Sequence, residues 1–236
     1  MRFWPKRTNT AALQQSAKDV LAPLPEPFRS SLVSMYAGEL QRGSDDKLYP
    51  LDSITRIAPE QGMWLYETCR KLKTTQTAEV GLAYGFSTIF FLAAIRENAG
   101  GLHTAIDPFE EDCWHGIGRC QAVKVATTHA FRFLSERSAV ALGELGRNDE
   151  RFDLIFIDGG HCFDSVLVDF TLSAELSPPG GYIVLDDMWL PSVRKAVSFI
   201  RNNRADFAGV VTPISNIAVF RRVGDDTREW KHYVDF

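Results

Sequence analysis

Thr77-Ala78-Glu79-Val80-Gly81-Leu82-Ala83-Tyr84-Gly85-Phe86-Ser87 is the stretch on which the fold turns. Residues 77–82 read as a buried strand, the middle is a turn with two glycines, and Ser87 stands where a helix N-cap belongs. The apolar run from Thr88 to Ile95 continues as that helix, and Gly100-Gly101 ends it. A strand, a glycine turn and a helix in succession bring backbone N–H groups close to whatever binds at the turn. The spacing here is G-x-x-x-G, not the G-x-G-x-x-G of a pyrophosphate binder. A tight strand-to-helix turn needs glycine whatever it binds, so the meaning of this one depends on its surroundings.

Downstream, the same alternation repeats. A second strand, 102–107, closes at Pro108; a helical stretch over roughly 117–135 follows, then a short strand over 138–142. Phe152-Asp153-Leu154-Ile155-Phe156-Ile157-Asp158 is the clearest strand, bounded by Gly159-Gly160. A helix over 163–176 carries Val166, Leu167, Phe170 and Ala174 at helical spacing. Pro178-Pro179-Gly180-Gly181 turns the chain into the strand 182–186, and Pro191 opens a helix running to about Arg204. Two last strands, 208–214 and 216–222, have too short a link for a crossover, so they predict an antiparallel hairpin. Near-continuous apolar strands alternating with helices mean a sheet covered on both faces. The expected fold is a doubly wound α/β domain with seven strands, mostly parallel, and a C-terminal antiparallel hairpin.

Upstream of residue 77 the pattern differs. Helices are expected over 10–21, 28–40 and 59–72, with the proline-rich stretch 23–27 between the first two and a loop over 43–52. Residues 1–50 read as a helical arm or cap able to support a homodimer, and 51–236 as the main domain. One α/β core is what 236 residues accommodate. A formal net charge of −4 argues against nucleic acid as the main partner, because phosphate binding needs a basic face. Arg2, Lys6 and Arg7 are expected to form a solvated tail. No apolar run approaches a membrane span, and the N-terminus lacks a secretory stretch. Cys69, Cys113, Cys120 and Cys162 show no metal-finger spacing and fit reduced thiols in a cytoplasmic protein.

Carboxylates mark the strand ends. Asp107 ends the second strand, 26 residues after Gly81, where an acid can accept hydrogen bonds from the two hydroxyls of a ribose. Asp158 and Asp186 lie 28 residues apart, about one strand–helix–strand unit, and belong at the ends of neighbouring strands. With Asp187 they could converge on one point, where like charges repel unless a proton or a hard divalent cation such as Mg²⁺ joins them. Strand-end carboxylates also occur as plain turn or helix-entry residues. His161 follows Asp158 by three residues and should project over the same edge. It could serve as base for an acceptor hydroxyl, as a metal ligand or as a polar loop residue capping the next helix.

Taken together, residues 79–87, 106–108, 153–161 and 180–187 resemble, in order and spacing, the catechol and caffeoyl-coenzyme A type O-methyltransferases. They are still more similar to a bacterial branch of class I methyltransferases that use S-adenosylmethionine (SAM), mostly of unassigned substrate. Ala58-Pro59-Glu60-Gln61-Gly62 matches the helix that precedes the first strand there, and the likeness spans about residues 50–222. It implies that Glu79, Gly81 and Ser87 hold the methionine end of SAM, with Tyr84 and Gly85 in the same cofactor turn. Asp107 would hold the ribose, Asp158 would touch both cofactor and chemistry, and Asp158, Asp186 and Asp187 would fall on metal ligands. Two positions depart from the pattern: Asp187 stands for Asn, and His161 for a lysine that activates the acceptor. The implied activity is methyl transfer to a hydroxyl of a small-molecule acceptor, without nucleic acid or membrane. A non-catalytic SAM-binding or assembly module on the same fold is the alternative. An NAD-dependent dehydrogenase fits less well, lacking G-x-G-x-x-G and not expected to end in the hairpin.

Overall fold

The computed structural model describes residues 10–236, with side chains from residue 15 onward. The expected basic tail at Arg2, Lys6 and Arg7 lies outside the described residues. In chain order the elements are α1 (Thr10–Val20), α2 (Phe28–Tyr36), β1 (Gln41–Arg42), β2 (Leu48–Tyr49), α3 (Pro59–Leu72), β3 (Gln76–Val80), α4 (Phe86–Glu97), β4 (Leu102–Ile106) and α5 (Glu110–Trp114). There follow α6 (Ile117–Val125), β5 (Phe131–Leu134), α7 (Ser138–Arg147), β6 (Leu154–Ile157), α8 (Phe163–Leu176), β7 (Tyr182–Leu185), α9 (Pro191–Asn203), β8 (Phe207–Val210) and β9 (Ala218–Arg222). The main sheet has seven strands in the order β5-β4-β3-β6-β7-β9-β8. Its first five strands pair in parallel, while β9 runs antiparallel to both β7 and β8. The expected mixed sheet with a terminal hairpin is what the chain forms.

Three expectations need correction. Residues 138–142 begin the helix α7, and the strand in that part of the chain is β5, inside the segment read as helical. Ala141, Leu142 and Leu145 bury one helical stripe against the sheet, which a short apolar run cannot distinguish from a strand. β5 is half-buried along its length and carries Arg132 at its middle, so it offers no apolar run. The hairpin link is also longer than read: Pro213 and its neighbours leave the ladder, and β8 ends at Val210. The expected loop over 43–52 contains part of a two-stranded hairpin, β1–β2.

Strand side chains alternate between two apolar layers. On β6, Leu154 and Phe156 join the layer of α2, α3 and α4, whereas Ile155 and Ile157 join that of α7, α8 and α9. α4 is apolar all round because it is enclosed: every residue from Phe86 to Ile95 is buried. It packs closely on α3, where the Phe90 ring lies against Gly62 and leaves no room for a β-carbon. Leu21, Leu24, Phe28, Leu32 and Met35 also belong to this layer. The apolar face of the N-terminal helices is therefore covered by the same chain, and Phe28→Ala alone would cost about 3–5 kcal/mol.

Candidate functional site

The ladder of hydrogen bonds in the parallel sheet lines up the residues that follow the strands. Gly81 donates its N–H to Ile106 (2.9 Å), Asp107 to Leu134 (3.1 Å), Asp158 to Val80 (2.9 Å) and Asp186 to Ile157 (3.0 Å). Each is the first residue beyond its strand, so all four stand on one edge. Gly81 has φ 95°, and a β-carbon there would collide with the Asp158 carbonyl. Only glycine lets the turn pass that close to the neighbouring strand end.

Over this edge lies a cavity of about 1420 Å³. Gly81, Tyr84, Ser87, Asp107, Asp158, His161, Asp186 and Asp187 all line it. Glu79 and Gly85, the other two expected cofactor residues, do not appear on its wall. Glu79 is fully buried behind the turn, where it accepts hydrogen bonds from Ser87 Oγ (2.6 Å) and the Thr88 hydroxyl. His103 Nε2 lies 3.1 Å from the same carboxylate, and its ring stacks on Phe91. Gly85 is the N-cap of α4, in left-handed conformation. These two residues hold the wall in shape from behind.

Asp107 is nearly buried and heavily used. Its Oδ2 accepts from the backbone N–H of Leu82 (3.1 Å) and Ala83 (3.0 Å), and its Oδ1 from Phe109 (2.8 Å). A carboxylate has about four lone-pair sites, so this geometry leaves roughly one, on Oδ1, for a ligand hydroxyl. The glycine turn and the second strand are thus tied together by the residue expected to hold ribose.

At the other end of the cavity the charges meet. His161 Nε2 lies 2.8 Å from Asp187 Oδ2 and 3.6 Å from Asp158 Oδ1. The two carboxylates beside it, Asp158 and Asp187, raise the imidazole to about 10. Burial, with Asp187 adding repulsion, pushes Asp158 up to about 6, while pairing with His161 holds Asp187 below the usual carboxylate range. Asp187 adopts φ 60°, a left-handed conformation that Asp tolerates better than most side chains. Its Oδ1 also accepts from Trp189 Nε1 (2.8 Å).

Asp186 is separate from this group. Gln61 Nε2 donates to its Oδ2 (2.6 Å), and Asn216 Nδ2 and the Asp187 N–H donate to its Oδ1 (both 2.7 Å). Burial and the nearby Asp158 charge nevertheless push it up to about 8. Of the expected metal set, Asp158 and Asp187 converge with His161, one ligand atom of each lying within 4.8 Å of the others. Two carboxylates and an imidazole are a donor set that suits a divalent cation, and Asp186 is outside it. Gln61 and Asn216 were not expected as site residues; they reach Asp186 from 125 and 30 positions away in the chain, which no local motif reveals.

Residues 78–188 match a family described as a methyltransferase domain. The O-methyltransferase TomG of Streptomyces achromogenes, involved in tomaymycin synthesis and solved with SAM, superposes with a TM-score of 0.67 at 18% identity, over 92% of this chain and 100% of that one. An O-methyltransferase of Bacillus cereus, solved with SAH (S-adenosylhomocysteine), gives 0.69 at 19% identity, over 90% and 97%. Among curated sequences, an uncharacterized protein of Acanthamoeba polyphaga mimivirus is 44% identical over 52 residues, a stretch covering 20% of this chain and 24% of that protein. No helix of the described residues is long and apolar enough to cross a membrane. Residues 78–188 are thus similar to a methyltransferase domain, and the chain as a whole has the fold of these two solved O-methyltransferases.

Proposed function

We propose that the protein transfers the methyl group of SAM to a hydroxyl of a small-molecule acceptor. The observation that carries this is a single cavity joining the ribose-holding candidate Asp107 to the charged group Asp158–His161–Asp187. Asp107 would hold the nucleoside at the β4 and β5 end, which would leave the sulfonium near Asp158. The acceptor oxygen attacks the methyl carbon, the carbon–sulfur bond breaks, and its electron pair stays on sulfur, leaving SAH. Sulfonium is already an activated leaving group, so the protein's work is alignment and removal of the hydroxyl proton.

Asp158 and His161 are the catalytic pair in this reading. An imidazole held at about 10 is charged at neutral pH, so His161 orients the acceptor oxygen as a donor. Asp158, held near 6, is mostly ionised at neutral pH and still close enough to neutrality to take the proton. Ser87, Gly81 and Tyr84 hold the methionine end, with Glu79 and Gly85 supporting that turn from behind. A non-catalytic binding module would have no use for this charged convergence.

A divalent cation at Asp158 and Asp187, with His161 as third ligand, is a second reading favoured by the grouping of those three donors. Such an ion would supply Lewis-acid activation of the acceptor hydroxyl when bound. Dimerisation through the N-terminal arm and a cytoplasmic location complete the reading. The test is transfer of label from methyl-labelled SAM to a metabolite extract, with and without EDTA. Labelled product is expected in the untreated reaction. Loss with EDTA and recovery with Mg²⁺ supports the cation, whereas full activity in EDTA removes it. No labelled product from any extract overturns the enzymatic reading.

A further inference from the structure

We propose that Arg56 is the cation that holds the α-carboxylate of the donor, a role that rests on the SAM reading above. The cavity wall is rich in carboxylates, including Asp107, Asp158, Asp186 and Asp187, and carries few cations. His161 is committed to Asp158 and Asp187. Arg137 is the N-cap of α7, three residues beyond Leu134, whose carbonyl takes the Asp107 N–H, so it lies at the nucleoside end. Arg56 is the cation left for the amino-acid end. Among the described residues its guanidinium makes no hydrogen bond or ion pair; it sits 5.9 Å from the centre of the Tyr36 ring.

Its placement is fixed by its neighbours. Asp52 accepts from the Ile54 and Thr55 N–H groups (2.8 and 2.7 Å) and from Tyr84 Oη (3.1 Å), which ties the segment to the glycine turn. Tyr36 donates from Oη to Ile57 O (2.9 Å) and packs its ring 4.7 Å from that of Phe86, the first residue of α4. Residues 52–57 thus form a lip over the α3 and α4 side of the cavity, the side to which Tyr84 and Ser87 lead from the sulfonium position. A donor carboxylate laid there without a cation would meet the field of Asp158, Asp186 and Asp187. The guanidinium fork matches a carboxylate in geometry and charge, and the donor's ammonium is left to the acidic groups.

Calorimetry with SAH and with 5′-methylthioadenosine, which lacks the amino-acid chain, separates this contact from the rest of the site. Arg56→Ala should weaken SAH on the order of tenfold to a hundredfold, as loss of a charged hydrogen bond does, and leave methylthioadenosine within about twofold. Arg56→Lys should fall between, since it keeps the charge and loses the fork. Unchanged SAH affinity overturns the proposal, as would be seen if Arg56 served an acidic acceptor instead. Equal weakening of both ligands also overturns it, because that marks a structural effect. If the unaltered protein binds neither ligand, the SAM reading itself fails, and this proposal fails with it.

Discussion

Asp107 and Asp158 occupy equivalent places, on the two strands that flank β3, each one residue beyond its strand and each donating its N–H to the next carbonyl of the ladder. Their side chains nonetheless have opposite surroundings. Asp107 is followed by Pro108-Phe109 and is satisfied by three backbone N–H groups from its own turn and the neighbouring one. Asp158 is followed by Gly159-Gly160-His161, receives little from the backbone, and faces Asp187 and an imidazole. One backbone ladder therefore builds a rigid binding end and a charged, proton-responsive end, and the few residues after each strand decide which is which. Preorganised donors suit a ligand that must be held; perturbed acids suit a proton that must move.

The contrast predicts that damage at the two ends will show in different measurements. The largest effect is expected from His161→Ala. Turnover at saturating donor should fall by about 10²–10³-fold, the range for loss of a positioned donor to the reacting oxygen, with SAH affinity within a few fold. Near-normal turnover would leave His161 a loop residue and collapse the distinction between the two ends.

Asp107→Ala should do the reverse. SAH affinity falls on the order of tenfold to a hundredfold, from the lost ribose contact and from freeing the Leu82 and Ala83 N–H groups. Turnover at saturating donor stays within several fold. A folded variant with unchanged affinity in calorimetry would take Asp107 out of the ligand site and reduce it to a brace for the turn.

Much of this division was legible in the sequence, and its failures have physical causes. The bounds of α3 and α8 match the expectation because each helix starts and stops at clear signals: Pro59 at the first position, Gly159-Gly160 before the second, and Pro178-Pro179 after it. β5 was hidden because a four-residue edge strand, Phe131-Arg132-Phe133-Leu134, is too short for its alternation to stand out and carries no apolar run. The strand-end carboxylates were found because a parallel sheet puts such residues on one edge whatever the side chains do. Their partners were not. That Asp186 is occupied by Gln61 and Asn216, and so is left out of the three converging donors, depends on tertiary packing. The left-handed backbone of Asp187, which accompanies its pairing with His161, has no sequence signal either.

The smallest expected effect lies behind the binding end and touches stability alone. Glu110 is fully buried, accepts the Arg119 N–H on Oε1 (2.8 Å), and leaves Oε2 without a partner. Burial pushes it up to about 8, with the Asp107 charge adding to the effect. In the unfolded chain the same carboxyl ionises near 4.5. Between these two values the folded state keeps a proton that the unfolded state has released, so stability must fall as pH rises through this window and level off above about 8. Glu110→Gln keeps an acceptor for Arg119 and removes the titration. Its melting temperature should therefore drop less between pH 6 and 9 than that of the unaltered protein, by roughly a few degrees. SAH affinity at pH 6, where the side chain at position 110 is neutral in both proteins, should match. Parallel melting curves would show that Glu110 carries no pH-dependent cost, while a change in SAH affinity at pH 6 would show that the binding end leans on this buried acid.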